Sequence, residues 1–142
     1  MRKIVYFSPP GEGCAVLIRA IHPEPACIET MRGLRKGKRK DGGKSLKLKD
    51  MCSGPSKLTQ AFSIDKAAFN QKHICESDHV WLEAGDDTAE HTVVACPRIG
   101  IDYAGDWAKK PLRFYVLGNE SVSVKDKAAE QKLAGTASKY CS

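Results

Sequence analysis

The 142-residue sequence predicts an α+β fold, a curved and mainly antiparallel sheet with short helices, in a single domain. Three observations lead there. Apolar, β-branched runs outnumber helical patterns. The two kinds of element do not alternate regularly, which argues against a parallel βαβ sheet. Two of the apolar runs also flank Gly118-Asn119, a pair suited to a hairpin turn. The length is that of one domain and is sufficient to bury a core.

Taken in order, "KIVYF" (3–7) and "CAVLIRAI" (14–21) read as strands joined by the turn "SPPGEG". The unbroken "AVLI" predicts burial on both faces, with Arg19 emerging at its end. "EPACIETMRGLR" starts a helix after Pro25, with Ile28, Met31 and Leu34 on one face and Gly37 at its end. Residues 37–49 predict a mobile basic loop around Gly42-Gly43. "CSGPSKLTQAFSI" (52–64) predicts a helix over 55–62, because Leu58, Ala61 and Phe62 fall at i, i+3 and i+4. "SIDKAAFNQ" follows as a turn and a short helix. Strands are then expected at "HVWLEA" (79–84), at "TVVACPRIGI" (92–101) with an interruption at Pro97, and at "PLRFYVL" (111–117) paired with "SVSV" (121–124). From Ala128 the chain is small and polar with no packing pattern, and "AGTASKYCS" is expected to fray. There is no internal repeat.

An apolar share of 42% and a charged share of 28% are ordinary for a soluble globular chain, and no apolar run approaches membrane-spanning length. The net charge is +6, yet residues 32–49 alone hold nine Lys or Arg against one Asp, so the rest of the chain is slightly acidic. Basicity confined to one segment suits contact with a polyanion. That stretch is open to three readings: a nuclear-import signal, a nucleic-acid arm or a solvated loop. It lacks interleaved aromatics, so it is not a base-stacking platform. "MRKIVYFSPP" has too few apolar residues for a signal-peptide core. The six cysteines include no C-x-x-C pair, which favours free thiols in a reducing compartment.

Few local patterns carry chemistry. "HICESDH" gathers His73, Cys75 and His79, but a zinc site needs a further ligand pair and a surface turn accounts for them as well. Cysteines such as Cys14 and Cys96 lie in apolar runs and read as buried thiols rather than nucleophiles. Glu12, Asp102 and Asp106 sit near turns or strand ends, where a general base and a solvated acid look alike. Arg19, at the end of a buried strand, needs a fixed partner, structural or functional. At "SGPSK" the first helical turn is opened by Pro55, with Gly54 or Ser53 as cap and Lys57 in place of an acid. Either this is an ordinary Pro-initiated helix with a solvated lysine, or its exposed amides meet an external anion such as phosphate.

Three stretches in register, "GEGCAVLIRAIHPEP" (11–25), "CSGPSKLTQAFSI" (52–64) and "PRIGIDYAGDWAKKPLRFYV" (97–116), resemble the C-terminal two-thirds of the alkyladenine (DNA-3-methyladenine, or methylpurine) DNA glycosylases. "ETMRGLR" and "VWLE" fit the intervening positions. The resemblance runs from Gly11 to Gln131, leaving 1–10 unmatched and 132–142 as a flexible tail. It implies a base-excision-repair enzyme that binds double-stranded DNA at the minor groove and its phosphates. Such an enzyme flips alkylated or deaminated purines out of the stack and hydrolyses the N-glycosidic bond. It implies a nuclear monomer, with the mitochondrion as a second compartment, no membrane, no cofactor and no metal. By resemblance Arg19 and the backbone carbonyl of Ile99 position the nucleophilic water. Gly54, Pro55, Ser56, Lys57 and Lys66 adjoin the DNA backbone, which would make "SGPSK" a phosphate site. The family's catalytic glutamate, pocket aromatics and intercalating tyrosine belong upstream of "GEGCAVLIRA", and Tyr6 stands where the family has a pocket asparagine. The expectation is therefore a chain lacking its N-terminal third and inactive alone. A non-catalytic basic DNA- or partner-binding module is the alternative.

Overall fold

A computed structural model of the chain describes residues 16–36, 46–70, 78–81 and 91–137. It divides into two compact units, Met1–Asp86 and Asp87–Ser142. It is an α+β chain of short helices and a two-stranded antiparallel sheet.

In the first unit a 3-10 turn, Pro25–Cys27, leads into α1, Ile28–Lys36. Glu29 in its first turn and Arg35 and Lys36 in its last complement the helix dipole. The helix occupies the expected residues, but its inward face differs. Leu34 is 42% exposed, and Arg35 is buried in its stead. The reason is hydrogen bonding: Arg35 Nη1 donates to the carbonyl oxygens of Asp50, at 2.6 Å, and Met51, at 2.7 Å. Those carbonyls end α2, Leu48–Met51, and have no intrahelical donor. The expected basic loop thus gives way to a helix at its end, with Leu46 and Met51 buried, while residues 37–45 lie outside the described ones.

Then follows α3, Pro55–Ala61, with Gly54 at its N-cap and Leu58 and Ala61 buried. Its C-terminus closes with Ser63 N–H donating to the Gln60 carbonyl at 3.2 Å and Ile64 N–H to that of Thr59 at 2.8 Å. This is a Schellman closure, and it holds Ser63 at φ 52°, the left-handed region where glycine is usual. The short α4, Lys66–Phe69, is capped by Asp65, whose Oδ1 accepts from Ala68 N–H at 2.9 Å. Met31, Leu46, Met51, Cys52 and Ala61 form the core, with Ile21 and Ile28 against it.

The predicted strand at 14–21 does not form over its described part. Val16 is 56% exposed, and Ala20 makes only an isolated antiparallel bridge with Ser53. No other strand lies beside 16–19 among the described residues, so the run is not buried on both faces. Residues 78–80 are bends, so the strand expected at 79–84 does not form over its described part.

The second unit pairs β1, Val93–Cys96, with β2, Arg113–Val116, in the register Val94↔Tyr115 and Cys96↔Arg113. Pro97 has no N–H for the ladder, and β1 stops before it. The expected hairpin between 111–117 and 121–124 is absent. Asn119 Oδ1 accepts from Ser121 N–H at 2.9 Å, and this turn carries the chain away from β2. The residues from Ala128 do pack: α5, Lys127–Ala137, is capped by Asp126 Oδ1 accepting from Ala129 N–H at 3.0 Å. Ala129 and Leu133 lie with Val122 against Val94, Cys96 and Tyr115. The Tyr115 hydroxyl donates to Glu130 Oε1 at 3.0 Å and accepts from Asp126 N–H at 2.8 Å, tying sheet to helix. Residues 138–142, the end of the expected tail, lie outside the described ones.

Candidate nucleic-acid interface

The start of α3 is built by its sequence. Pro55 fixes φ for the first turn and has no amide to orphan, and Gly54 caps with no side chain over the remaining donors. Gly54 O accepts from Leu58 N–H at 2.8 Å, closing the first turn. The Ala20–Ser53 bridge places the chain next to Arg19 beside this turn. The segment of Arg19, expected to position the water, and Gly54-Pro55-Ser56-Lys57, expected to meet the DNA backbone, are therefore adjacent.

Lys57 is not simply solvated. Its Nζ donates to Ser53 Oγ at 3.0 Å and lies 3.3 Å from Asp50 Oδ1. The two charged side chains are 40% and 46% exposed, so their pair is worth only about 0–1 kcal/mol. An anion arriving from solvent can compete for the ammonium. Asp50 and Ser53 were not legible as site residues, since Asp50 lies seven residues from Lys57 across a helix and a turn. Arg35 is a second such case, a cation of the basic stretch that holds the α2–α3 corner from inside.

Arg19 is exposed rather than emerging from a buried strand, and Lys66 is the exposed first residue of α4. Ile99 belongs to the second unit and is 60% exposed. Asp102 and Asp106 are exposed on the 3-10 segment Asp102–Lys109, and His79 is exposed. Glu12, His73, Cys75 and Cys14 lie outside the described residues. Among the described residues no three His, Cys, Asp or Glu side chains converge as for a metal ion, and no helix is long and apolar enough to cross a membrane. Cys52 and Cys96 are buried free thiols, and burial pushes both above the ordinary 9.0, which makes them poor nucleophiles. Cys27 is an exposed free thiol.

Residues 3–120 match the family model of methylpurine-DNA glycosylase (MPG). The chain belongs to that family. Among its relatives, the DNA-3-methyladenine glycosylase of Mus musculus is 52% identical over 124 residues, covering 85% of this chain and 37% of the relative. The enzyme of that name from Homo sapiens is 49% identical, covering 85% of this chain and 41% of the relative. A probable DNA-3-methyladenine glycosylase from Encephalitozoon cuniculi is 41% identical, over 78% and 50% of the two chains. The chain thus spans half or less of the length of these methylpurine-DNA glycosylase relatives.

Proposed function

We propose that this chain is the DNA-engaging part of a base-excision-repair glycosylase acting in the nucleus. Its substrates are alkylated and deaminated purines: 3-methyladenine, 7-methylguanine, hypoxanthine and ethenoadenine. Membership of the methylpurine-DNA glycosylase family, over residues 3–120, is the observation that carries this reading. In it the chain approaches the minor groove as a monomer. Phosphate oxygens meet Lys57, Lys66 and the backbone from Gly54 to Ser56, and Lys57 exchanges Asp50 for phosphate. Arg19 orients the water that attacks the anomeric carbon of the flipped nucleotide. A damaged purine stacks and pairs poorly, so extrusion itself selects for damage.

Duplex binding tests the reading. Fluorescence anisotropy of a labelled duplex, followed against salt, is expected to give a log–log slope near −3.6 if about four phosphates are neutralised. Affinity that does not vary with salt, or no binding to duplex DNA, would overturn it.

A further inference from the structure

The second unit carries a surface that the proposed function does not use. The segment Asp102–Lys109 packs against no other helix or strand among the described residues, and it presents Tyr103 and Trp107 at 88% and 59% exposure. Gly105, at φ 55° and ψ −128°, kinks the backbone between the two aromatics in a conformation that glycine adopts without a Cβ clash. Lys110 Nζ lies 3.4 Å from the centroid of the Trp107 ring, which fixes the indole and sets a positive charge on it. Arg98 and Lys109 add charge nearby in sequence. The basic stretch 32–49 has cations without aromatics, whereas this segment has both.

We infer that Tyr103, Trp107 and Lys110 form a stacking surface for the bases of single-stranded DNA. Every base has a π-face, so exposed aromatic rings beside cations hold unpaired bases without reading their sequence. For the class of partner the inference rests on the DNA-binding reading above. Asp102 opens the segment and Asp106 precedes Trp107, so phosphate is drawn instead to Lys109 and Lys110 at its end. The same acids disfavour an anionic lipid surface, the other place where exposed Trp, Tyr and Lys occur together.

The test uses Trp81→Phe, which leaves Trp107 as the one remaining indole of the two in the chain. Its emission is titrated with an eight-residue thymidine oligonucleotide, and duplex affinity is followed separately by anisotropy. Saturable quenching by the single strand is expected. Tyr103→Ala should weaken single-strand binding about 5- to 150-fold while leaving duplex affinity within about twofold, and Tyr103→Phe should keep it. Asp102→Asn with Asp106→Asn should tighten it. Duplex binding with Trp107 unresponsive to the single strand overturns the inference. So does a response to phosphatidylserine vesicles in place of the oligonucleotide. Quenching by the single strand without duplex binding upholds the inference and overturns the duplex reading.

Discussion

Lys57 has two internal acceptors, a serine hydroxyl and a half-exposed carboxylate, and neither holds it tightly. Removing its charge as Lys57→Ala should flatten the salt slope of duplex binding by about one unit without changing which sequence is preferred. Asp50→Asn should have the opposite effect, tightening duplex binding about two- to fivefold at low salt, because a weak competitor is gone. The fold should tolerate this change, since Arg35 grips the Asp50 main-chain carbonyl and not its carboxylate. Added net charge alone would also tighten binding, so the two effects need separating. In a Lys57→Ala background most of the Asp50→Asn gain should vanish if the two residues act as a pair. An undiminished gain would refute the exchange of Asp50 for phosphate. At this scale the sequence showed Lys57 and the Pro-initiated turn, because both are local. Its partner was hidden, since Asp50 and Lys57 lie on different helices, α2 and α3, joined by a turn. Arg35 was hidden for a related reason: amphipathic periodicity assigns the core to leucine and cannot anticipate carbonyls waiting on another element.

Elements whose signals are contiguous were legible. Helices α1, α3 and α4 fall where Pro25, Pro55 and Asp65 start them. Strands β1 and β2 also fall within the expected runs 92–101 and 111–117, but their pairing was not legible. β2 pairs with β1 across an intervening 3-10 segment, while the nearby Gly118-Asn119 opens an Asx turn instead of a hairpin. The start of α5 was signalled by Asp126 three residues before Ala129, a cap overlooked behind a weakly amphipathic run. One element also carries local strain. Ser63→Gly at the left-handed end of α3 should raise stability by about 1 kcal/mol, read from chemical denaturation, since it relieves a Cβ clash. Unchanged or lower stability would show that the Schellman closure costs serine nothing. The cores make a prediction in pH. Burial raises the Cys52 thiol above 9.0, although Arg35 pulls it down, and burial likewise raises Cys96 and, above 10.0, Tyr115. Each group is neutral when protonated, so the folded state binds more protons once the unfolded chain ionises. Stability is fully present below the unfolded values and is lost as pH rises past about 9. The melting temperature should fall from there upward, and less steeply in Cys52→Ala. A flat profile to pH 10 would contradict the buried thiols.

At the scale of the whole molecule, the prediction is catalytic. Relatives bearing the name DNA-3-methyladenine glycosylase are longer than this chain, which covers 37% and 41% of two of them. We propose that these 142 residues alone bind DNA but do not release damaged purines. Hydrolysis needs a carboxylate within hydrogen-bonding reach of a water behind the sugar. Neither a guanidinium nor a backbone carbonyl takes a proton from such a water at neutral pH. Asp102 and Asp106 are exposed on the 3-10 segment. Loss of a general base costs about 10²- to 10⁴-fold, and loss of the pocket walls that hold a flipped purine compounds it. Purified chain incubated with duplexes carrying hypoxanthine or ethenoadenine should therefore yield no free base above buffer. A longer chain that also carries the part of the Mus musculus relative not covered here should release it. Turnover by the 142 residues that disappears in Glu12→Gln or Asp102→Asn would instead identify a base within this chain and overturn the proposal.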